Sequence, residues 1–217
     1  VRVNIDKNIK TKTDLLNKLR AYSSVPDDEN IKYKEIIKNE LLKCPELLYA
    51  LNEKDFESEL FDEDGNLNID ENGNPLGEWD KYFGESSNIR PFLFFPETQT
   101  KVKNYLCYKV DFDEIPRYNS NFMKYTNITF TIFVHGENVI DKLTGIPRHD
   151  LIAAIIRERF NWSSIFGMQA KLITGKESLT DNNYKTRTLI LQIEDPNGVV
   201  HTPYGEKTYI RNTEQWK

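Results

Sequence analysis

The sequence predicts an α+β protein with a mainly antiparallel sheet packed by a helix, as a two-layer sandwich. Two segments, 102–112 and 125–135, alternate apolar and polar residues, which is typical of strands with one buried face. A third segment, 147–160, repeats its apolar residues every three or four positions, as a helix lying on a sheet does. With 217 residues, the chain is long enough to bury a full core. A helical N-terminal region and an acidic hairpin insertion complete the predicted fold.

Changes in residue pattern divide the chain into four regions. Residues 1–60 form the helical N-terminal region, and residues 61–88 form the acidic hairpin insertion. Residues 89–195 form the α+β core, and residues 196–217 form a polar, extended tail. The insertion is the best candidate for a boundary, because its turn residues outnumber the apolar residues that could build a core.

The N-terminal region predicts three short helices. The first begins at Thr13–Asp14 and aligns Leu15, Leu16 and Leu19 on one side. After a turn from residue 23 to residue 30, a second helix runs from about residue 31 to residue 43. Pro45 suits the first position of a third helix. The predicted apolar positions of the second and third helices are Ile36, Ile37, Leu41, Leu42, Leu47, Leu48 and Leu51.

The core region predicts a run of strands around one helix. A short apolar run at 91–95 comes first, and two further strands at about 169–174 and 184–194 follow the helix. The helix starts after Gly145-Ile146-Pro147. The side chains predicted to face the core are Val102, Leu106, Tyr108, Val110, Phe112, Ile128, Phe130, Ile132, Val134, Leu151, Ile152, Ile155, Ile156, Phe160, Leu189, Leu191 and Ile193. The outward faces are predicted to be polar, with Lys103, Lys109, Asp111, Asn127, Thr129 and Thr131.

The acidity of the chain is concentrated in one segment. Residues 53–71 hold nine acids and one base, although the net charge of the whole chain is −5. Asp64-Gly65 and Asn72-Gly73 are pairs typical of hairpin turns. So many carboxylates without cations cannot be buried, so we expect an exposed hairpin. Its candidate partner or lumen surface consists of Asp62, Glu63, Asp64, Asp70 and Glu71.

Composition restricts the class of protein. The negative net charge argues against a duplex-binding protein, which must neutralise phosphates. Two cysteines, Cys44 and Cys107, are too few for a disulfide framework or a cysteine zinc site. No apolar stretch approaches the ~20 residues that cross a bilayer, and the first six residues lack the apolar core of a signal peptide. We therefore expect a soluble, intracellular protein without membrane contact.

The polar residues do not predict a catalytic or metal site. No nucleophile elbow, Walker loop or dinucleotide-binding glycine pattern is present in the sequence. His149 and Asp150 are adjacent, but neighbouring side chains on a helix point about 100° apart, so we interpret both, like His135, as structural. Residues 68–73 match the first half of a calcium loop, but Trp79 stands where a glutamate ligand is required, and a plain hairpin turn is favoured. We expect no enzyme activity, cofactor or metal.

An aromatic stretch has two interpretations. Its rings could stack single-stranded bases, but few cations are interleaved with them beyond Lys81 and Arg90. Burial in the core or in a subunit interface is favoured. The residues concerned are Trp79, Tyr82, Phe83, Phe92, Phe94 and Phe95.

Three segments between residue 89 and residue 195 form a characteristic series: residues 128–135 (ITFTIFVH), residues 150–156 (DLIAAII) with Phe160, and residues 188–191 (TLIL). With the order of elements around them, these segments resemble the phage tail terminator (tail-completion) and neck protein family. The resemblance implies a virion protein of the head–tail junction, assembled in the host cytoplasm. Such proteins form rings, usually hexameric, that cap the tail tube, join it to neck and head-completion proteins, and let DNA pass through the lumen without specific binding.

Three alternatives remain open at this point. One is another neck component, such as a head-closure or adaptor protein. The second is a nucleic-acid-processing accessory factor that uses the aromatic stretch and Arg148-His149-Asp150. The third is a small enzyme with a site assembled from scattered residues. A closed ring would favour a neck protein, whereas salt-dependent DNA binding would favour the accessory factor.

Overall fold

The computed structural model describes residues 11–21, 29–94, 96, 102–113, 123–180 and 183–196. Its helices are α1 (Lys12–Ala21), α2 (Glu29–Leu42), α3 (Pro45–Ala50), α4 (Glu57–Leu60) and α5 (Arg148–Phe160). Its strands are β1 (Ile89–Arg90), β2 (Tyr105–Asp113), β3 (Met123–His135), β4 (Ala170–Leu179) and β5 (Tyr184–Pro196). The predicted α+β class is confirmed.

The described strands form one mostly antiparallel sheet. Its strand order is β1-β2-β3-β5-β4, with β1 parallel to β2 and every other pair antiparallel. The long strands β3 and β5 are central, paired from Met123–Pro196 to His135–Tyr184. In consequence β4 lies at one edge of the described sheet and the two-residue β1 lies at the other.

Helices α2, α3 and α5 cover one face of this sheet. The predicted inward residues of β3 (Ile128, Phe130, Ile132, Val134) are fully buried, as are Ile152, Ile156 and Phe160 of α5. Tyr33, Ile37 and Leu41 of α2 and Leu47 and Leu48 of α3 belong to the same apolar cluster. Helices α2 and α3 therefore share one core with the sheet, whereas α1 has no buried residue.

A chain of aromatic rings links this helical layer to the sheet. The ring centroid of Phe160 lies 5.2 Å from that of Phe130 on β3 and 6.1 Å from that of Phe166. Phe166 in turn meets Tyr33 of α2 edge-on at 5.1 Å. Such contacts add to area burial, so Phe160 occupies the centre of the core.

The prediction of a polar outer sheet face is wrong at one end. Tyr105, Cys107, Phe133 and Tyr184 form a second buried cluster there. The chain after β1 covers it: the Arg90 guanidinium lies 3.7 Å from the ring centroid of Phe94 and 4.7 Å from that of Tyr105. The cover comes from a segment distant in sequence, which strand alternation cannot reveal.

Several predicted boundaries and burials also differ. In place of the strand expected at 91–95, the described residues contain a strand at Ile89–Arg90, because Pro91 has no N–H to continue the ladder; Phe92 and Leu93 are exposed, and Phe95 lies outside the described residues. Strand β4 extends to Leu179, past a β-bulge between Leu172 and Thr174. Helix α2 begins at Glu29 rather than at residue 31. Five residues predicted to be apolar contacts or inward-facing are exposed, three of them on α1, one just before β2 and one near the end of β2: Leu15, Leu16, Leu19, Val102 and Phe112.

Among the described residues, no helix has the length and apolar character needed to span a membrane.

The remaining predictions concern the two ends of the chain. The tail expected from residue 196 onward lies outside the described residues, apart from Pro196, which ends β5. The first six residues, with their expected lack of a signal peptide, lie outside them as well.

Candidate interaction surface

The acidic segment folds into two consecutive turns of the same form, called here the acidic double turn (residues 61–75). The first spans Asp62-Glu63-Asp64-Gly65-Asn66, and the second spans Asp70-Glu71-Asn72-Gly73-Asn74. Antiparallel bridges close them, Phe61 with Leu67 and Ile69 with Pro75, so the predicted hairpin turns are confirmed. The eight-residue repeat was visible in the sequence but was not recognised there.

The first aspartate of each turn holds that turn together. Asp62 Oδ1 accepts hydrogen bonds from the backbone N–H of Asp64 (3.0 Å) and of Asn66 (2.7 Å), and Asp62 Oδ2 accepts one from Asn66 Nδ2 (3.2 Å). Asp70 repeats these bonds with Asn72 and Asn74 at 2.9, 2.7 and 2.9 Å. The glycines adopt positive φ, 82° at Gly65 and 80° at Gly73, a conformation that favours glycine. The aspartate, asparagine and glycine residues within each turn are therefore sufficient to form it.

These bonds lower the pKa of the two aspartates. The backbone N–H of Asn66 is the largest cause for Asp62, and the side-chain amide of Asn74 is the largest cause for Asp70. Because the pKa is lower in the folded turn than in the unfolded chain, the stabilisation is present above the unfolded pKa. It is lost as the pH falls through the folded pKa.

We expect Asn74→Ala to raise the pKa of Asp70 towards the ordinary aspartate value of about 3.9. The physical reason is loss of the amide donor that bonds Asp70 Oδ2 at 2.9 Å. Carboxyl-carbon NMR titration measures both aspartates in one sample, and Asp62, in the other turn, serves as the internal control. An Asp70 pKa that is unchanged by the substitution would show that Asn74 does not bind it in solution.

The remaining candidate carboxylates, called here the outward carboxylates, accept none of the hydrogen bonds that hold the turns. Glu63, Asp64 and Glu71 are exposed. No cation among the described residues forms an ion pair with any of the five candidates, Asp62, Glu63, Asp64, Asp70 and Glu71. No group of histidine, cysteine or acidic residues within the described ranges could hold a metal ion. Trp79, at the last position of the calcium-loop pattern, is buried and donates its Nε1–H to the carbonyl oxygen of Glu59 (2.8 Å), so it belongs to the core.

Contacts between residues 56–59 and residues 77–82, which flank the double turn in sequence, fix the two ends of the double turn on the body of the protein. The Glu59 carboxylate accepts hydrogen bonds from Lys81 Nζ (2.6 Å) and from the backbone N–H of Glu78 (2.9 Å). The Tyr82 hydroxyl donates to the carbonyl oxygen of Phe56 (3.4 Å). Between these contacts, Gly77 passes so close to α4 that a Cβ would lie 2.1 Å from the carbonyl oxygen of Glu59. The double turn therefore has a defined orientation.

We expect Gly77→Ala to lower the free energy of unfolding by about 1–3 kcal/mol, because the added methyl group collides with backbone rather than with a movable side chain. Urea unfolding gives the value. Gly175→Ala is the matched control, since its Cβ would meet only Leu189 Cδ2 at an ordinary 3.4 Å. Equal stabilities of the two variants would contradict the close approach to α4.

Arg148 and His149 are buried at the start of α5. Arg148 donates to the carbonyl oxygens of Ala50 (2.9 Å) and Asn138 (3.2 Å) and to Asp141 Oδ1 (2.8 Å). It therefore joins α3, α5 and the loop before α5. From the sequence, Arg148 had a role only in the alternative of a nucleic-acid-processing accessory factor, and its burial had no sequence signal.

His149 and Asp150 do not form a dyad. Their closest atoms, Nε2 and Oδ1, are 3.8 Å apart, while Nε2 lies 3.2 Å from Glu177 Oε1 on β4. Asp150 instead binds Arg187 of β5. Beside these pairs, a groove of about 550 Å³ runs between α5 and strands β4 and β5. The other histidine interpreted as structural, His135, lies at the end of β3 and accepts a hydrogen bond from the backbone N–H of Glu137 (3.3 Å).

Together, the fold and the surface define an α+β domain whose most distinctive described feature is a pair of rigid, charged turns. The model of the YomW family matches residues 45–193, which is more than half of the chain. The chain belongs to the YomW family, a phage-derived domain family, and is accordingly a phage-associated protein. The matched range includes α3, the acidic double turn, α5 and the sheet apart from the last three residues of β5. A search of the curated proteins finds no match.

Proposed function

We propose that this protein is a structural component of the phage head–tail connector, a tail terminator whose ring caps the tail tube and joins it to the neck. The observation that carries the proposal is the order of elements β1, β2, β3, α5, β4 and β5 in a chain of a phage-derived family. This is the order on which the resemblance to tail terminators rests. A ring of this kind acts by contact, so the proposed role requires no catalytic residue, metal or cofactor.

In this proposal the protein resides at the head–tail junction of the virion and has three partners. It binds copies of itself, the tail tube and neck or head-completion proteins, and DNA passes through the lumen without specific binding. The net charge of −5 supports passage, since like charge weakens contact with phosphates.

We propose that the acidic double turn binds a basic patch on a neighbouring neck or tail protein. Three facts support a docking role: its outward carboxylates are unpaired within the described residues, its turns are internally bonded, and α4 fixes its orientation. Preorganised charges of this kind steer association and fix register. The rival placement is the lumen, where the same charges would repel passing DNA.

Neutralising the outward carboxylates separates the two placements. We expect Glu63→Gln/Asp64→Asn/Glu71→Gln to leave rings intact and to slow joining to the partner by roughly tenfold at low salt, with a smaller effect at high salt. Asp62 and Asp70 stay unchanged because they hold the turns. The matched control is Asp80→Asn/Glu85→Gln/Glu158→Gln, three exposed acids elsewhere. Normal joining with impaired DNA ejection would place the segment in the lumen instead.

Deletion of the gene from the phage tests the function itself. We expect infected cells to accumulate DNA-filled heads and separate tails, and purified protein to restore joining in the extract. The variant Glu63→Gln/Asp64→Asn/Glu71→Gln, added to the same extract, should restore the joining of heads to tails poorly. Normal virions from the deleted phage would contradict the proposed role.

A further inference from the structure

A small pocket, called here the α3–α4 pocket, lies between these two helices and the start of the acidic double turn. Its volume is about 160 Å³. Sites for cofactors and other small molecules typically measure ~300–1,000 Å³, so this pocket has room for a single side chain. Phe61 lines the pocket and also closes the first turn by pairing with Leu67. The pocket is therefore continuous with the acidic double turn.

The inner surface of the α3–α4 pocket is aliphatic and aromatic. Leu48, Leu60 and Tyr82 line it and are buried. Tyr49 also lines it and is 39% exposed, with its ring edge-to-face against that of Phe61 at 5.9 Å between centroids. Apolar surface of this kind accepts the methylene stem of a long side chain whose charged end stays near water.

The charge around the α3–α4 pocket is negative. Glu57 lines it, is exposed, and forms no ion pair with a described residue, whereas Glu53 binds Lys103 (Oε2 to Nζ, 3.1 Å). Lys54 lines the pocket as well, but it is the single base among seven acids in residues 53–64. Two lysines from elsewhere in the fold pair with this segment and still leave it negative.

The buried tyrosine in the α3–α4 pocket responds to this charge. Burial and, after it, the negative charges of Glu53, Glu57 and Glu59 raise the pKa of Tyr82 to about 12. These carboxylates therefore act on the Tyr82 hydroxyl, which donates a hydrogen bond to the carbonyl oxygen of Phe56. A cation beside Tyr82 would be attracted by the same charges that oppose ionisation of the hydroxyl.

We infer that the α3–α4 pocket takes one arginine side chain from the basic partner surface that the acidic double turn binds. In this arrangement the guanidinium stacks on the Tyr49 ring and binds the Glu57 carboxylate. Arginine suits the pocket better than lysine, because a planar guanidinium can stack on an aromatic ring and pair with a carboxylate at once. The inference rests on the proposed function for the identity of the partner and names the side chain by which that partner is recognised.

A model peptide tests the pocket on the protein alone. The probe is a capped, fluorescein-labelled peptide of alternating glycine and arginine, and its binding is followed by fluorescence anisotropy at low salt. We expect Tyr49→Ala and Glu57→Gln each to weaken binding by roughly tenfold, as is usual for residues at the centre of an interface. Tyr49→Phe, which keeps the ring, should bind like the wild type.

Matched controls separate the pocket from general effects of substitution. Phe92 is 38% exposed, close to the exposure of Tyr49, and Glu158 is an exposed acid on another helix, so Phe92→Ala and Glu158→Gln should bind the arginine peptide normally. Thermal melts show that each variant remains folded. Salt distinguishes stacking from charge, since the loss caused by Tyr49→Ala should persist at high salt.

Two further peptides identify the chemistry that the pocket recognises. Citrulline has the shape of arginine without its charge, so a peptide of alternating glycine and citrulline should show no measurable binding. The corresponding lysine peptide should bind more weakly than the arginine peptide, because an ammonium group cannot stack on the Tyr49 ring as a planar group does.

The outcomes distinguish the pocket from the proposed function. Equal affinities of the wild type, Tyr49→Ala and Glu57→Gln for the arginine peptide would overturn the pocket, whatever the joining of heads to tails shows. A citrulline peptide that binds as tightly as the arginine peptide would overturn it too. Binding that depends on Tyr49 and Glu57 would support the pocket even if the deleted phage made normal virions, a result that contradicts the proposed function alone.

Discussion

Arg148→Met is expected to lower the free energy of unfolding by about 3–5 kcal/mol, because it leaves a buried carboxylate without its cation. The side chains of Arg148 and Asp141 are each only 6% exposed, and Nη2 lies 2.8 Å from Oδ1. The substitution also removes the donors to the carbonyl oxygens of Ala50 and Asn138. Urea unfolding of the variant and the wild type gives the difference.

Two other substitutions make this prediction specific. Arg157→Met, on the exposed side of the same helix, should change stability by no more than about 0.5 kcal/mol. Arg148→Lys should recover little of the stability that Arg148→Met loses. A single ammonium group cannot replace three guanidinium nitrogens that reach three different segments. If Arg148→Met and Arg157→Met were equally stable, the buried network would not exist in solution.

Phe160→Ala should cost about 3–5 kcal/mol, the range for removing a buried aromatic ring from a close-packed core. Phe160 is fully buried, with Phe130 on one side and Phe166 on the other. The measurement is again urea unfolding, with Phe92→Ala as control because Phe92 is 38% exposed. A loss below 1 kcal/mol would mean that α5 does not pack on the sheet through this residue.

Side-chain periodicity was sufficient to predict the sheet and its helix. Alternation placed Ile128, Phe130, Ile132 and Val134 correctly, because a strand under a helix buries every second residue. On α5 the predicted burial was correct for Ile152, Ile156 and Phe160, whereas Ile155 is only half-buried. A large-to-small substitution at Ile156 is therefore the one expected to cost ~2–5 kcal/mol.

Features that depend on contacts between distant segments could not be predicted in this way. Arg148 follows the turn that starts α5, and its burial depends on Ala50, which lies 98 residues away in the chain. The aromatic cluster on the outer face depends on the cover that Arg90 and Phe94 supply. The acidic segment differs, because its turns form from local chemistry, so its exposure could be predicted from charge and turn residues alone.

The most direct test of the proposed role is the native mass of the purified chain of 217 residues. A tail terminator should give one closed species at an integer multiple of the 25.5 kDa chain, with six copies expected from the resemblance. Class averages of the same sample should show a ring with a central opening. A mass of 25.5 kDa that persists after the chain is mixed with phage heads and tails would contradict the ring and the connector role built on it.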